Sequence, residues 1–139
     1  MKCFTSITRK ISFSAAHRLH NVNWSDEKNA KVYGICNNLH GHGHNYDLEV
    51  TVHGQIDQES GMILNINTLK EILNEEIINK FDRKNLNEIP DLKGTITTME
   101  NLAKKIAELL IFRFEQIGLS LLKVKLSESK KNYVTIEIL

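Results

Sequence analysis

One proline in 139 residues, and no tract rich in glycine or serine, leave no place for a linker or a low-complexity spacer. The chain reads as one domain, residues 1–139, without internal repeats. Neither sign of charge dominates: eighteen Lys and Arg face seventeen Asp and Glu, and no five like charges follow one another. The electrostatic footprint of a nucleic-acid or membrane-surface protein is missing. Long hydrophobic runs are missing too. The longest, Leu109 to Phe112, is far too short to span a bilayer, and nothing near Met1 has the apolar centre of a signal peptide. A cytoplasmic protein is expected, with no nucleic-acid and no membrane partner. Two cysteines, Cys3 and Cys36, are too few for a disulfide framework in that compartment, so each is expected as a free thiol.

What the chain does have is apolar residues from end to end, 41% of the total, enough for a core that hides roughly two-thirds of the unfolded surface. It also has histidine in one place. Five of six histidines lie between His17 and His44, and three alternate in Leu39-His40-Gly41-His42-Gly43-His44-Asn45-Tyr46.

The period-two pattern of Ile7 to Ala16, with Ile11, Phe13 and Ala15 on one face, predicts a strand that delivers His17 at its end. From Arg18 to about His44 no period holds, which predicts a long functional loop. Tyr46, Leu48, Val50 and Val52 then alternate with polar residues up to Gly54, a second strand that pairs most simply with the first. Asn67 stands where it can cap a helix with apolar positions Leu69, Ile72, Leu73, Ile77, Ile78 and Phe81. Thr97 and Glu100 have capping-box spacing before a second helix that Gly118 ends. Leu122 to Leu126 and Val134 to Ile138 alternate as two further strands around a turn at Ser129 to Asn132. The order ββααββ predicts an α+β fold: a four-stranded antiparallel sheet with two helices on one face. Its open edges predict self-association.

Residues i and i+2 of an extended segment point the same way, so His42 and His44 can reach one point while Gly41 and Gly43 let the backbone bend around it. A third imidazole from His17 completes a three-nitrogen set with a vacant fourth position, the catalytic arrangement favoured by zinc. His40 can substitute for one of the pair, and His20 for His17. The competing explanation is a solvated His-rich loop that binds metal adventitiously.

These residues resemble a known family. Phe13-Ser14-Ala15-Ala16-His17-Arg18-Leu19, Cys36-Asn37-Asn38 and Gly41-His42-Gly43-His44-Asn45-Tyr46 look like the signatures of 6-pyruvoyltetrahydropterin synthase and its bacterial relative 6-carboxytetrahydropterin synthase. The similarity continues through Asp57 to Leu69, Asp82-Arg83-Lys84-Asn85-Leu86, Thr97-Thr98-Met99-Glu100-Asn101 and Glu128, in order along the chain. The resemblance implies Zn²⁺ held by His17, His42 and His44, with Cys36 as the catalytic thiol. It implies the tunnelling fold, a homohexamer of two stacked trimers with active sites between subunits. It also implies 7,8-dihydroneopterin triphosphate as substrate, its pterin ring bound by Glu128 with help from backbone near Thr98 and from Glu100. The expected reaction is lyase chemistry. Cys36 removes a proton from a carbon bearing hydroxyl, a task suited to a thiol beside a divalent cation, and triphosphate is eliminated to give 6-pyruvoyltetrahydropterin.

One pair departs from the resemblance. The family usually has Asp followed by His where this chain reads Asp82-Arg83, a pair thought to relay a proton with the cysteine. A guanidinium is permanently charged and cannot act as a base, so Arg83 holds Asp82 ionised, binds the triphosphate, or leaves the relay broken. Two alternatives stand beside the pyruvoyl-forming reading. One is the 6-carboxy-forming reaction of the route to queuosine, with the same substrate and release of acetaldehyde. The other is a non-catalytic module that keeps the metal and pterin shell.

Overall fold

The computed structural model describes residues 1–139, the side chain at position 121 excepted. Alternation carries strand β1 over Thr5–His17, and strand β2 runs antiparallel to it over His42–Gly54. β2 begins at His42 rather than near Tyr46, because the two histidines continue its period and pair across from Ala15 and His17. The segment between is not the bare loop expected. It holds helix α1 (Asp26–Tyr33), whose cap Ser25 accepts the Lys28 N–H, followed by a 3₁₀ turn at Gly34–Asn37. No apolar period announces α1, since its one buried residue is Asn29. The Asn29 amide bonds backbone groups of Asn21 and Ser25 instead of packing in a core.

Helix α2 (Ile66–Leu73) is capped by Asn65, not Asn67, and continues through a π-helical turn at Asn74–Ile78 into α3 (Asn79–Phe81). Strand β3 (Lys84–Asn85) follows, then helix α4 (Met99–Glu115), then the hairpin of β4 (Leu121–Ser127) and β5 (Tyr133–Ile138). The sheet has five strands in the order β3-β1-β2-β4-β5, which corrects the four-stranded antiparallel expectation. β3 is only two residues long and runs parallel to β1 beside Ala15 and Ala16, too short to show as a period. The α+β class stands.

The helices share one face of the sheet. Leu48, Val50 and Val52 of β2 and Val124 and Leu126 of β4 meet Leu73, Phe81, Leu102, Ile106 and Phe114 from the helices, all fully buried. Each such side chain contributes about 1.5–3 kcal/mol by leaving water. Glu76, in the π-helical turn, ties this layer together through Lys80 at 2.9 Å and Arg113 of α4 at 2.8 Å. Burial pushes its carboxyl up, but the two cations outweigh burial and hold it below the usual carboxylate range. The opposite sheet face is polar, with Ser12 donating to Asp47, Ser14 donating to Asn45, and Lys10 and Lys125 flanking Glu49. Among the described residues no helix is long and apolar enough to cross a membrane.

What matters for function is where the buried stripe stops being apolar. Phe13 and Tyr46 stack at 5.0 Å, and beyond them the same face of β1 and β2 carries the small Ala15 and then His17, His42 and His44.

Candidate active site

The register of β1 and β2 sets His17 opposite His42 and Ala15 opposite His44, so strand alternation brings all three rings to the helix-covered face. Their centroids lie 5.0 Å (His17–His42), 5.0 Å (His17–His44) and 4.7 Å (His42–His44) apart. Gly41 makes the entry to β2 possible. At φ 73° it sits in the left-handed region, and a Cβ there would lie 2.6 Å from the His17 carbonyl oxygen.

His17 is buried, and its Nδ1–H donates to the Thr97 carbonyl at 2.7 Å. A carbonyl only accepts, so the proton sits on Nδ1, and Nε2 is left as a bare, buried acceptor without a partner. His42 Nε2 and His44 Nε2 stand 2.9 Å apart. One nitrogen from each of the three rings lies within 4.8 Å of the others. Tetrahedral zinc–imidazole bonds would separate such nitrogens by about 3.4 Å, so small rotations of the rings suffice to hold a divalent cation. The orphaned Nε2, fixed by a second-shell carbonyl, is what a metal ligand requires. Burial pushes His17 below the ordinary imidazole range; the Thr97 hydrogen bond and the charge of Glu128 oppose this, and His44 and His42 reinforce it. The ring is therefore neutral at pH 7 and able to ligate.

Cys36 is half-buried in the 3₁₀ turn. That turn is laced to the residues that follow His17. Leu19 N–H donates to the Cys36 carbonyl at 2.8 Å, Arg18 Nε donates to the Asn37 carbonyl at 2.9 Å, and Asn37 Nδ2 donates to the Leu19 carbonyl at 2.7 Å. Asn87 grips Arg18 from the other side through both its N–H and its carbonyl. His20 spends its Nδ1 on Asn37 and His40 is exposed, so neither replaces a member of the triad. Sequence reasoning passed over Asn87, met Asn37 only within a motif and read Thr97 as a helix cap, because the contacts of all three are long-range.

Glu128, just past β4, brings its Oε2 to 3.8 Å from His44 Nε2. Tyr46 is fully buried next to the triad, 5.6 Å from His44 between ring centroids, and its hydroxyl has no partner. Burial, with the charges of Glu128 and Cys36, pushes the phenol far above its usual value. Tyr46 lies two residues beyond His44 on the same face, a signal that alternation alone contained.

Three expected residues are arranged differently. Thr98, not Thr97, caps α4, its hydroxyl accepting the Asn101 N–H at 3.2 Å. Thr97 is buried to serve His17, and Glu100 is exposed without a capping role. Asp82 accepts the Ser14 N–H at 2.9 Å along the outer edge of β1, and Arg83 N–H donates to the Ser14 carbonyl at 2.6 Å. Arg83 adopts φ 59°, a conformation a side chain rarely takes, and its guanidinium is 91% exposed, 4.0 Å from Asp82. Among the described residues no hydrogen bond links Asp82 or Arg83 to Cys36 or to the imidazoles. Arg83 borders a cavity of about 490 Å³ with Ser14, Gly43, His44, Asn45 and Lys84. Ser14, Gly43 and Asn45 belong to the polar face of the sheet.

A family model described as 6-pyruvoyl tetrahydropterin synthase matches residues 6–138. The chain belongs to the 6-pyruvoyl tetrahydropterin synthase family. Two curated relatives, each named 6-pyruvoyl tetrahydrobiopterin synthase, are similar over most of their length. The Drosophila melanogaster protein is 44% identical over 130 residues, 93% of this chain and 77% of its own. The Homo sapiens protein is 43% identical over 134 residues, 96% of this chain and 91% of its own. The solved structure of the Caenorhabditis elegans 6-pyruvoyl tetrahydropterin synthase matches with a TM-score of 0.89 at 36% identity, covering 97% of this chain and 96% of that one. Members of this synthase family are lyases, and the chain is an enzyme of that class.

Proposed function

We propose that the chain is a zinc-dependent lyase that converts 7,8-dihydroneopterin triphosphate to 6-pyruvoyltetrahydropterin, with elimination of triphosphate. The observation that carries this reading is the locked His17: its Nδ1 is spent on Thr97, and its bare Nε2 converges with nitrogens of His42 and His44. Zinc suits an all-imidazole set with room for a further ligand. When bound, the cation withdraws charge from the substrate side-chain oxygens and so acidifies the neighbouring C–H. The names of the relatives favour the pyruvoyl product over the carboxy product.

Each remaining role falls to a side chain of this protein. Cys36, as thiolate, takes the proton from the carbon bearing hydroxyl. Glu128 accepts hydrogen bonds from the amino and ring N–H groups of the pterin, and its approach to His44 suits a ring held beside the metal. The N-terminal turn of α4, with Thr98 and Glu100, flanks the ring. Because Asp82 and Arg83 belong to the outer edge of β1, they serve Cys36 of a neighbouring subunit in a homohexamer, the assembly the resemblance implies. Asp82 then works with Cys36 without a histidine, and Arg83 meets the triphosphate. Replacing Arg83 by alanine should raise KM about five- to tenfold while kcat changes less than about twofold, as for an exposed ionic contact. A fall in kcat at constant KM would assign Arg83 to the chemistry instead.

The test of the function is incubation of the purified protein with 7,8-dihydroneopterin triphosphate, before and after chelation and zinc restoration, with products identified by mass. The pyruvoyl product is expected only with zinc. A 6-carboxy product with acetaldehyde would assign the other reaction, and bound zinc without consumption of substrate would leave a non-catalytic module.

A further inference from the structure

The two halves of the site come from different elements. His17, His42 and His44 are set by the register of β1 and β2, whereas Cys36 sits on a 3₁₀ turn within the excursion that leaves β1 at Arg18. The place where that turn is fastened back therefore fixes the base relative to the imidazoles. Cys36 and Asn37 are tied to Arg18 and Leu19 by the Leu19 N–H, the Arg18 Nε and the Asn37 Nδ2. Arg18 is held in turn from its outer side. Its N–H donates to Asn87 Oδ1 at 2.7 Å, and its carbonyl accepts from Asn87 Nδ2 at 2.9 Å.

Asn87 does with a side chain what a neighbouring strand does with its backbone. β3 pairs with Ala15 and Ala16 and ends at Asn85, and two residues later the amide of Asn87 takes up the pairing at Arg18. Its own backbone is pinned, because its N–H donates to Asn85 Oδ1 at 3.0 Å. Its Nδ2 also lies 3.4 Å from the hydroxyl of Thr97, the residue whose carbonyl holds His17. Yet Asn87 is exposed and packs in no core. What its side chain orders is the junction between β1 and the Cys36 turn. We infer that Asn87 is a positioning residue: through Arg18 it aims the Cys36 thiol at the C–H of a substrate seated beside the imidazoles. This inference rests on the proposed function, in which Cys36 is the base. A base misplaced by about 1 Å loses about 10²-fold in rate, whereas an exposed substitution costs the fold little, so activity and stability should respond separately.

Asn87→Ala removes both bonds to Arg18, and Asn87→Asp keeps the acceptor for its N–H while losing the donor to its carbonyl. Each is made in the wild-type chain and beside Cys36→Ala, a double-mutant cycle that separates an effect passed through the thiol from one that bypasses it. In the wild-type chain Asn87→Ala should lower kcat by about tenfold to a hundredfold and change KM less than about threefold, with Asn87→Asp in between. Zinc should stay stoichiometric by elemental assay, and the melting temperature within about 5 °C of wild type. Beside Cys36→Ala the same substitutions should change kcat less than about threefold. Equal losses in the two backgrounds would overturn the inference, since Asn87 would then act without the thiol. So would zinc lost in step with activity, or kcat of Asn87→Ala within about threefold of wild type. If Asn87→Ala fails to fold, Asn87→Asp decides by the same cycle, with a loss of about fivefold expected in the wild-type chain and none beside Cys36→Ala; wild-type kinetics would overturn the inference. A wild-type protein that leaves the substrate untouched overturns the proposed function and this role with it, and an active wild type matched by its Asn87 variants overturns the role alone.

Discussion

Cys36→Ala is expected to lower kcat by about 10³-fold, the usual worth of a positioned base, with bound zinc and melting temperature left close to wild type. The separation of these effects follows from how Cys36 is held. Its backbone carbonyl accepts the Leu19 N–H, and Arg18 and Asn37 lace the same turn to the end of β1. None of those bonds uses the thiol, and the side chain is only half-buried, so alanine leaves the turn and the imidazole set in place. Cys36→Ser sharpens the point. It restores the shape, but a hydroxyl ionises far less readily than a thiol, so activity should stay near the alanine level. Product formation by mass, zinc content and a thermal melt on the three proteins decide it. Activity within tenfold of wild type in either variant would remove Cys36 from the chemistry, while zinc lost with activity would make it a ligand.

The parts of the fold that could be read in advance are those in which side-chain period and burial coincide. β1, β2 and the terminal hairpin alternate, and the runs ending at Phe81 and Phe114 bury an apolar stripe, so their type and order were legible. α1 was not, because it buries an asparagine and presents charge to water, and the signals that remain are its Ser25 cap and the acids Asp26 and Glu27. The capping box at Thr97 and Glu100 shows local preference yielding to a distant need. Thr98 takes the cap one residue later, and Thr97 is drawn into the interior, where its carbonyl receives the His17 proton. β3 exists only because Asp82 and Arg83 are pinned to Ser14, a contact across 68 residues that no window of sequence contains.

The site divides along the same line. His42 and His44 follow from alternation, and His17 joins them through a register that any hairpin-like pairing of the two strands would approximate. The choice against His20 and His40 is made by tertiary structure, through Asn37 holding His20 and His40 remaining in solvent. Glu128 reaches the imidazoles because β4 pairs with β2, ending at Ser127 opposite Asp47. Only the resemblance singled it out beforehand. For Asp82 and Arg83 the resemblance was informative about kind and silent about place, since both lie on the outer edge of β1.

His17→Ala and His42→Ala should each abolish stoichiometric zinc binding and bring turnover below about one-thousandth of wild type, yet they should differ in what they do to the metal-free fold. A zinc site reduced to two imidazoles loses most of its affinity, so the shared loss tests convergence. The difference tests burial. His17 is 1% exposed, and removing its ring leaves the Thr97 carbonyl buried without a donor as well as a void. That combination costs about 3 kcal/mol, or roughly 10 °C in melting temperature for a chain of this size. His42 is only partly buried, donates to no carbonyl, and should cost little. Acid adds a second check. Burial holds His17 below the imidazole value of the unfolded chain, so on acidification the unfolded state takes up the proton first. Metal-free wild type should therefore lose stability as pH falls from the ordinary imidazole range through the lower value of folded His17, and His17→Ala should lack that part of the slope. Denaturant melts of the chelated proteins at pH 7.5 and pH 5.5, with zinc content by elemental assay, measure both. Equal stabilities for the two variants, or zinc retained in either, would mean that the three rings do not share one ion.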